Sequence, residues 1–387
     1  MSQLNELIRT LCPNGVPFVE LGTIAKGEKE RNKGEHCNLA FSITKGGLVK
    51  TSDYFKDATV TSEDTSGYKI VRKNWFVYSP SRIDVGSINY LRDEEMVIVS
   101  PLNVVFSISE DKILPQYLLY FLQSRFGTWQ ILTKREGIEG TGRKLLPFER
   151  FATIIVPLPP LEIQREVIKI LDVFQNLASE LTAELAARKE QYIHYRKVLI
   201  ENAVDKQVFS LGELATIKTG SKPEKILETP TDYEYVNAGT TNSGYTASFN
   251  CDGDTVTTPS RGQGGIGFVG YQYNPFWLGP LCYRFQAKDS QKVLNRYLYY
   301  YLSCFNEKIL AFKKEGGTPA VNASDLVGIT IDLPSIDEQK RIVAILDRFD
   351  AICNDLSTGL PAEIEARQKQ YEYYRDKLFT FKEVSTC

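Results

Sequence analysis

A glycine-rich segment is the first place where residue types and spacing could carry chemistry. Gly262, Gly264 and Gly267 match the G-x-G-x-x-G spacing that brings the backbone close to the pyrophosphate of a dinucleotide. Such a site needs the loop to run from a strand into a helix. Here the loop runs into Phe268-Val269-Gly270-Tyr271, which has the composition of a strand. The segment is therefore interpreted as a glycine-rich hairpin.

Other catalytic patterns are incomplete. Asn274-Pro275-Phe276-Trp277 is similar to the N-P-P-F/Y loop with which amino-methyltransferases hold their target base, but the second proline is absent, which favours a turn. The two histidines, His36 and His194, stand in neither an H-E-x-x-H motif nor a catalytic-triad pattern. The phosphate-binding pattern G-x-x-x-x-G-K-S/T is also missing. We therefore expect no catalytic residue, no metal site and no cofactor bound by this chain.

Basic side chains near Gly, Ser and Thr remain, and their chemistry would be contact with nucleic acid. Arginine can bind guanine through two hydrogen bonds, and lysine or arginine can bind phosphates. Arg82 and Arg261 follow the same Pro-Ser dipeptide in the two halves of the chain, which predicts equivalent positions. Solvated surface charge, or a structural ion pair, would explain the same residues. The candidates for DNA contact are Arg31, Lys33, Arg82, Lys134, Arg135, Arg143, Lys144, Lys222, Arg261, Gln263, Lys313 and Lys314.

The overall composition limits what such a surface can be. The 387-residue chain has a formal net charge of −2, so DNA binding would require a local basic patch. Its 42% apolar content is that of an ordinary globular protein, and no apolar run approaches the roughly 18 residues of a membrane helix. The seven cysteines are scattered singly and no secretion signal opens the sequence, which favours reduced thiols in the cytoplasm.

The elements that must position these residues occur twice. Gln164 and Gln339 end two P-x-x-x-x-Q motifs, and Phe174 and Phe349 end two L-D-x-F motifs, with 175 residues between the members of each pair. The later Q-Y-x-x-Y-R motifs are 179 residues apart, so the second copy has gained four residues. Motifs that recur at nearly fixed spacing indicate a tandem duplication.

Each repeat ends in a long helical segment. Residues 161–200 carry apolar residues at spacings of three and four without Gly or Pro, which predicts a helix about 60 Å long at 1.5 Å per residue. In the second copy, residues 335–380, Gly359 and Pro361 predict a kink or short break, with Thr358 as the cap of the following helix. The two apolar stripes are expected to be buried against each other as an antiparallel coiled coil.

The segments between the helices have a mixed composition. Leu21-Gly22-Thr23-Ile24-Ala25 and Leu211-Gly212-Glu213-Leu214-Ala215 open them with the same pattern, and short β-rich runs follow. The predicted class is α+β, with two globular α/β domains in tandem repeat, separated and followed by long helices, and related by a pseudo-twofold axis. The expected boundaries are 1–158 and 204–333 for the globular domains, and 159–203 and 334–387 for the helical segments.

The tyrosines of the Q-Y-x-x-Y-R motifs lie on one helix face because they are three residues apart. They could form the seam of the coiled coil, or a docking surface for another subunit, since Tyr and Arg are favoured at interfaces. Both interpretations stay open. The candidates for this seam or interface are Gln164, Phe174, Leu181, Leu185, Gln191, Tyr192, Tyr195, Gln339, Phe349, Leu356, Gln370, Tyr371 and Tyr374.

Taken together, these motifs resemble the specificity subunit of type I restriction-modification systems. The resemblance covers nearly the whole chain. It rests on LPPLEIQ (158–164) and LPSIDEQ (333–339) before the helices, on ARKEQYIHYR (187–196) and ARQKQYEYYR (366–375) near their ends, and on the spacer LTAEL (181–185).

The resemblance implies a non-catalytic reader of double-stranded DNA. Each globular domain would be a target recognition domain for one half of an asymmetric split target. The helices would set the gap between the halves and bind two modification (methyltransferase) subunits. Restriction (helicase-nuclease) subunits would complete the complex, and these partners would carry S-adenosylmethionine, ATP and magnesium. A coiled-coil scaffold that binds other proteins and no DNA is the alternative interpretation.

Overall fold

The computed structural model describes residues 2–34, 36–55, 62, 64–137, 144–262, 264–314, 319–355 and 358–384. The first half of the chain contains α1 (Ser2–Leu11), β1 (Phe18–Glu20), β2 (Ala25–Glu28), β3 (Phe41–Thr44), β4 (Gly47–Lys50), α2 (Thr51–Tyr54), β5 (Lys69–Arg72), β6 (Phe76–Tyr78), β7 (Ile88–Tyr90), β8 (Met96–Val99), β9 (Val104–Ile108), α3 (Pro115–Gln123), α4 (Arg125–Thr133), β10 (Glu136–Gly137), β11 (Lys144–Leu145), α5 (Phe148–Phe151), β12 (Ile155–Pro157) and α6 (Leu161–Glu201).

The second half repeats this order in outline. It contains β13 (Gln207–Ser210), α7 (Leu211–Leu214), β14 (Ala215–Thr219), β15 (Tyr233–Val236), β16 (Tyr245–Thr246), β17 (Thr255–Pro259), β18 (Gly270–Gln272), β19 (Trp277–Leu278), β20 (Cys282–Ala287), α8 (Asn295–Cys304), α9 (Glu307–Leu310), α10 (Ala323–Leu326), β21 (Thr330–Leu333), α11 (Ile336–Asn354) and α12 (Leu360–Leu378). Within the described residues, no helix is both long and apolar enough to cross a bilayer.

The chain forms two compact units. The first unit comprises residues 1–180 and 364–387, and the second unit comprises residues 181–363. Each unit therefore contains one globular segment, part of α6, and one helix of the second helical segment. The boundary between the units falls inside α6, which continues without a break from Leu161 to Glu201.

A four-stranded antiparallel sheet lies at the centre of each globular segment. Its strand order is β2-β9-β6-β7 in the first unit and β14-β20-β17-β18 in the second. Phe106 and Tyr117 are fully buried in the core of the first unit, and Phe285 and Tyr297 in that of the second. Because the two sheets share one strand order, the predicted tandem repeat of α+β domains is confirmed.

The smaller strands differ between the units. The first unit has a β3–β4 hairpin and an antiparallel β5–β8 pair, whereas the second has a three-stranded β16-β15-β19 sheet. The glycine-rich segment connects β17 with β18, which pair antiparallel, so its interpretation as a hairpin is confirmed. The pairs β1–β12 and β13–β21 join the start of each globular segment to its end.

The helices of the first unit pack antiparallel. Tyr374 of α12 stacks on Phe174 of α6 with 5.0 Å between ring centroids. Farther along the chain, Phe379 packs on Tyr117, whose hydroxyl donates to the carbonyl of Pro157 just before α6 begins. Residues later in α12 and just after it therefore lie nearer to the start of α6, so the two helices run in opposite directions.

The second unit repeats this arrangement with the other two helix parts. Phe349 of α11 stacks on Tyr195 of α6 with 5.8 Å between ring centroids. Burial raises the pKa of the Cys353 thiol, later on α11, and Lys189, earlier on α6, opposes that shift. The predicted antiparallel helix pairing is thus found within each unit.

The second helical segment is interrupted where Gly359 and Pro361 predict it. α11 ends at Asn354 and α12 begins at Leu360. Because α12 begins at Leu360, Gly359 and not the expected Thr358 precedes its first residue, and the Thr358 hydroxyl donates to the carboxylate of Asp355 at 2.5 Å. A Cβ on Gly359 would lie 2.6 Å from the carbonyl oxygen of Ala351, so this close approach of backbone requires glycine.

Candidate nucleic-acid interface

Strand pairing defines which residues of the two globular segments correspond. Phe76 of β6 pairs with Phe106 of β9, and Val256 of β17 pairs with Phe285 of β20. Since these pairs occupy the same place in equivalent sheets, residues of β6 and β17 correspond at an offset of 180 in the numbering.

With this register, the predicted equivalence of Arg82 and Arg261 is wrong by one residue. Arg82 corresponds to Gly262, and Arg261 corresponds to Ser81. The shared tripeptide misled the comparison because a match of three residues carries no information on strand register. Both arginines are nevertheless exposed, so each stays a separate prediction for DNA contact.

Arg135 makes its contacts within the fold. Its guanidinium pairs with Asp84 at 2.7 Å and donates to the carbonyls of Ser81 and Lys144 at 3.3 and 3.2 Å. Only 11% of its side chain is exposed. Its role as a DNA contact stays a prediction, and the sequence did not show that Asp84 would face it. The neighbouring Lys134 donates to the hydroxyl of Thr153 at 2.8 Å.

The other candidates divide by exposure and partner. Lys314 is exposed but pairs with Asp325 at 3.0 Å, and Arg31 donates to the carbonyl of Gly67 at 2.5 Å. Arg143 and Gln263 lie outside the residues that the structure describes. The remaining exposed candidates, which stay predictions, are Lys33, Arg82, Lys144, Lys222, Arg261 and Lys313.

A cleft in the first unit contains polar residues that the sequence did not suggest. It has a volume of about 520 Å³ and lies between the β3–β4 hairpin, α2, the turn after β6 and the turn before β9. Arg82 and Lys45 line it, together with the nearly buried Ser87 and Asn103. A single serine or asparagine in a turn has no pattern that could have been found in one sequence.

Positive charge gathers beside this cleft. Lys69 donates from its ammonium to the carbonyl of Asn103 at 2.6 Å. Burial, and then the charges of Arg31 and Lys29, lower the pKa of Lys69. The shift reflects a partly desolvated ammonium among like charges, which is an environment that an anion would stabilise.

The two glutamines of the P-x-x-x-x-Q motifs are buried junctions and not parts of a subunit interface. The Gln164 amide accepts from the backbone N–H of Leu114 at 2.9 Å and donates to the carbonyls of Lys112 and Pro159, both at 2.8 Å. Gln339 makes the three corresponding bonds in the second unit, at 3.0, 3.0 and 2.9 Å. Both side chains are fully buried, so neither is accessible to another subunit.

The remaining helix candidates lie along the helix pairs. Arg196 lies over the ring of Tyr192, and Arg375 over the ring of Tyr371, each at 5.4 Å from the ring centroid. Gln191 and Gln370 accept from the arginine three residues earlier, at 3.1 and 3.0 Å. Leu181 and Leu185 are half-buried, and Leu356 lies outside the described part of the chain.

A second junction joins α8 to α11. The Tyr300 hydroxyl donates to Asp347 at 2.5 Å, and burial, followed by this hydrogen bond, raises the pKa of Tyr300. Arg296 donates to Asp347 at 2.7 Å, to Asp350 at 3.0 Å and to the Tyr300 hydroxyl at 2.8 Å. Four tyrosine rings lie 4.6 to 4.8 Å from the guanidinium carbon, those of Tyr271, Tyr273, Tyr299 and Tyr300.

The first unit builds the same junction from neutral amides. The Tyr120 hydroxyl lies 2.5 Å from the carboxylate of Asp172 and 2.8 Å from the amide oxygen of Gln175. Gln116, at the position of Arg296, accepts from Tyr90 at 2.9 Å. A charged pair in the second unit is thus replaced by two glutamines in the first.

Within the described residues, no group of three or more His, Cys, Asp or Glu side chains is placed to hold a metal ion. The candidate interface thus consists of basic and hydroxyl-bearing side chains on the surface of the globular segments. The helix pairs hold these segments.

Comparison with known proteins adds to this geometry. Residues 17–190 and 203–366 each match the family described as the type I restriction modification DNA specificity domain. The specificity subunit of the type I restriction enzyme EcoR124I/EcoR124II from Escherichia coli is 29% identical over 429 aligned residues, which cover 100% of this chain and 99% of that protein. A putative type I specificity subunit of Mycoplasma pneumoniae is 31% identical over 243 residues, 59% of this chain and 94% of that protein.

Two solved structures share the fold. One is the S subunit of a type I restriction-modification system from M. genitalium, with a TM-score of 0.59 and 17% identity over 94% of this chain and 96% of that chain. The other comes from work on complex assembly and conformational transition of the type I R-M system, with a TM-score of 0.62 and 18% identity over 95% and 98%.

Proposed function

The chain belongs to the type I restriction-modification DNA specificity family, and we propose that each of its two globular segments reads one half of an asymmetric split target in double-stranded DNA. It is a DNA sequence-specificity subunit and not a catalytic one. The proposal rests chiefly on the two matches to the DNA specificity domain, one on each globular segment. The segments share a central sheet but differ in their smaller strands, which favours two different half-sites.

The helices are proposed to set the gap between the half-sites. α6 has 41 residues without a break, and a helix of that length extends about 60 Å at 1.5 Å per residue. A continuous helix is a stiff connection, so its length would fix how many base pairs separate the two bound segments.

We also propose that two modification (methyltransferase) subunits dock on the helical segments. Support comes from apolar side chains that stay exposed on these helices, namely Val173, Ile193 and Tyr373. Tyr373 borders a groove of about 880 Å³ together with the stacked rings of Phe126 and Trp129. Exposed aromatic side chains of this kind are favoured at protein interfaces.

The remaining partners and cofactors follow from the same proposal. Restriction (helicase-nuclease) subunits would join the complex, and the partner subunits would bind S-adenosylmethionine, ATP and magnesium. The chain itself would need none of them. A complex that recognises and methylates genomic DNA would be located in the cytoplasm. A scaffold that binds proteins and no DNA is not favoured, because both globular segments match a DNA specificity domain.

Methylome sequencing tests this function. The chain would be expressed with its modification subunit in a host without native methylation, and a control host would lack the chain. We expect a new split motif that is methylated on both strands and is absent from the control. If the complex assembles but no new motif appears, the proposed function is wrong.

A further inference from the structure

We propose that the cleft of the first unit binds the phosphodiester backbone of the DNA beside the half-site that this unit reads. The inference rests on the proposed function and names the part of the DNA that this surface contacts. The cleft, with its volume of about 520 Å³, is formed entirely by the first globular segment.

Two polar side chains lie deep in the cleft with their polar atoms open to it. Asn103 is 8% exposed and Ser87 is 3% exposed. The side-chain amide of Asn103 and the hydroxyl of Ser87 make no hydrogen bond with any residue that the structure describes. These polar atoms are open to the cleft and have no partner among the described residues, so they are free to hydrogen-bond to a ligand there.

The charge of the cleft selects an anion. Arg82 and Lys45 line it, and none of its described lining residues is Asp or Glu. The ammonium of Lys69 lies directly behind, at 2.6 Å from the carbonyl of Asn103. Six serine and threonine residues add hydroxyl groups, namely Ser42, Thr44, Thr51, Ser79, Ser87 and Ser100.

The shape of the cleft favours a phosphate over a base edge. Base edges lie within the grooves of a duplex, and a protein reaches them with side chains that project outward. Here Asn103 and Ser87 are nearly buried, so only a protruding part of the DNA could reach them. Phosphate oxygens protrude, and they accept hydrogen bonds from Asn, Ser, Lys and Arg. Such a contact positions the DNA without reading its sequence.

Among its described residues, the second unit does not repeat the side chains that line this cleft. Strand register places Cys282 at the position of Asn103, and the Cys282 thiol donates to the carbonyl of Thr258 at 3.4 Å. Gly262 stands at the position of Arg82. The backbone contact would therefore exist beside one half-site only, and its loss should leave recognition of the other half-site intact.

Equilibrium binding tests the proposal on the full chain assembled with its modification subunits. Two duplexes would be used, one with the split target and one without it, at several salt concentrations. Arg82→Ala should weaken binding to both duplexes by about tenfold. The salt dependence of log K should become shallower by about one. Asn103→Asp should weaken binding further, because it places a carboxylate beside a phosphate.

Lys73→Ala is the matched control. Lys73 pairs with the exposed Glu95 outside the cleft, so its replacement removes the same charge and should leave affinity and salt slope unchanged. Thermal melting of each variant would show that the unit stays folded, and Arg82, being exposed, can be replaced without disturbing the core.

Methylome sequencing of the same variants separates the possible outcomes. An unchanged target motif together with weaker binding supports the backbone contact. A changed base in the first half-site would overturn it, since the cleft would then read sequence. Folded Arg82→Ala and Asn103→Asp variants with unaltered affinity and salt slope would overturn it as well. A wild-type complex that methylates no split motif would instead contradict the proposed function.

Discussion

The ion-paired junction of the second unit can be converted into the glutamine-containing junction of the first. Arg296→Gln and Asp350→Gln, singly and together, would place there the side chains that Gln116 and Gln175 supply in the first unit. Asp347 would be retained, as its counterpart Asp172 is in the first unit. The experiment asks whether the ion pairs or the shared tyrosine–aspartate bond hold α8 against α11.

The magnitudes follow from burial. Arg296 has 10% of its side chain exposed, Asp350 has 19% and Asp347 has 45%. Arg296→Gln should cost about 3 kcal/mol, at the low end for a broken buried pair because Asp347 is partly solvated. Asp350→Gln should cost about 2 kcal/mol, because Arg296 keeps one carboxylate. The double variant should cost about 2 kcal/mol rather than the sum of about 5, since Arg296 and Asp350 are removed together and only the partly solvated Asp347, still bonded to Tyr300, stays charged.

Hydrogen exchange across a series of urea concentrations would measure these costs. A chain with two compact units need not unfold in a single step, so one melting midpoint would not separate the contributions. Amides of α8 and α11 should lose protection in the single variants, whereas amides of α3 in the first unit serve as the internal control.

The coupling energy between the two substitutions shows whether the ion pairs stabilise the contact of α8 with α11. A cycle energy of about 3 kcal/mol would show that Arg296 and Asp350 stabilise the junction as a pair. If the two costs add to within about 0.5 kcal/mol, the residues act independently and this explanation of the junction is wrong.

Four further results are expected. Gln164→Leu should destabilise the first unit by about 3 kcal/mol in urea unfolding, because three backbone groups lose their buried hydrogen-bond partner. A cost below about 1 kcal/mol would contradict the role of the Gln164 amide. Insertion of Thr-Ala-Glu-Leu after Leu185 adds about 6 Å to the helix. Methylome sequencing should therefore show a gap that is longer by one or two base pairs between unaltered half-sites. An unchanged gap would refute the spacer role. Hydrogen bonds from the Ser210 backbone and side chain lower the pKa of Glu213, so the stability they add is present above the carboxyl's usual pKa and is lost as pH falls through the lowered value. Glu213→Gln should remove this acid dependence from melting curves, and Ser210→Ala, which keeps the backbone N–H, should only reduce it. A chain of residues 1–203 should form a dimer in light scattering, because each L-D-x-F motif finds its tyrosine only on another helix, and a stable monomer would oppose this.

The helices could be predicted from the sequence because their signals are local. The apolar stripe without Gly or Pro predicts residues 161–200 as helix, and the observed α6 ends at Glu201. Gly359 likewise marks a break that the backbone requires, since a side chain there would collide with the carbonyl oxygens of Ala351 and Asp355.

Features that depend on distant contacts were misread or missed. Gln164 stands in a helix motif, but its partners include Lys112 and Leu114, about 50 residues earlier, so its role is visible only in three dimensions. Arg135 is a basic residue in a basic stretch, and only the folded chain brings Asp84 to it. Asn103 belongs to no motif, and only its place deep in the cleft distinguishes it from other turn asparagines.

The aromatic contacts explain how one duplication yields two complete units. Phe174 of the first repeat stacks on Tyr374 of the second, and Phe349 of the second repeat stacks on Tyr195 of the first. The first repeat cannot satisfy its own L-D-x-F motif, because Phe174 and Tyr195 belong to one continuous helix and residues 21 positions apart on a helix do not meet.

Each unit therefore needs helix motifs from both repeats, whereas each globular segment meets its own helix through a few buried groups such as the Gln164 amide and the Tyr120 hydroxyl. Substitutions in the helix motifs affect partners in the other repeat, but substitutions in the cleft or the smaller strands affect only their own segment. This separation lets the DNA-facing surfaces of the two segments differ while the helices that hold them stay alike, which is what a reader of two unlike half-sites requires.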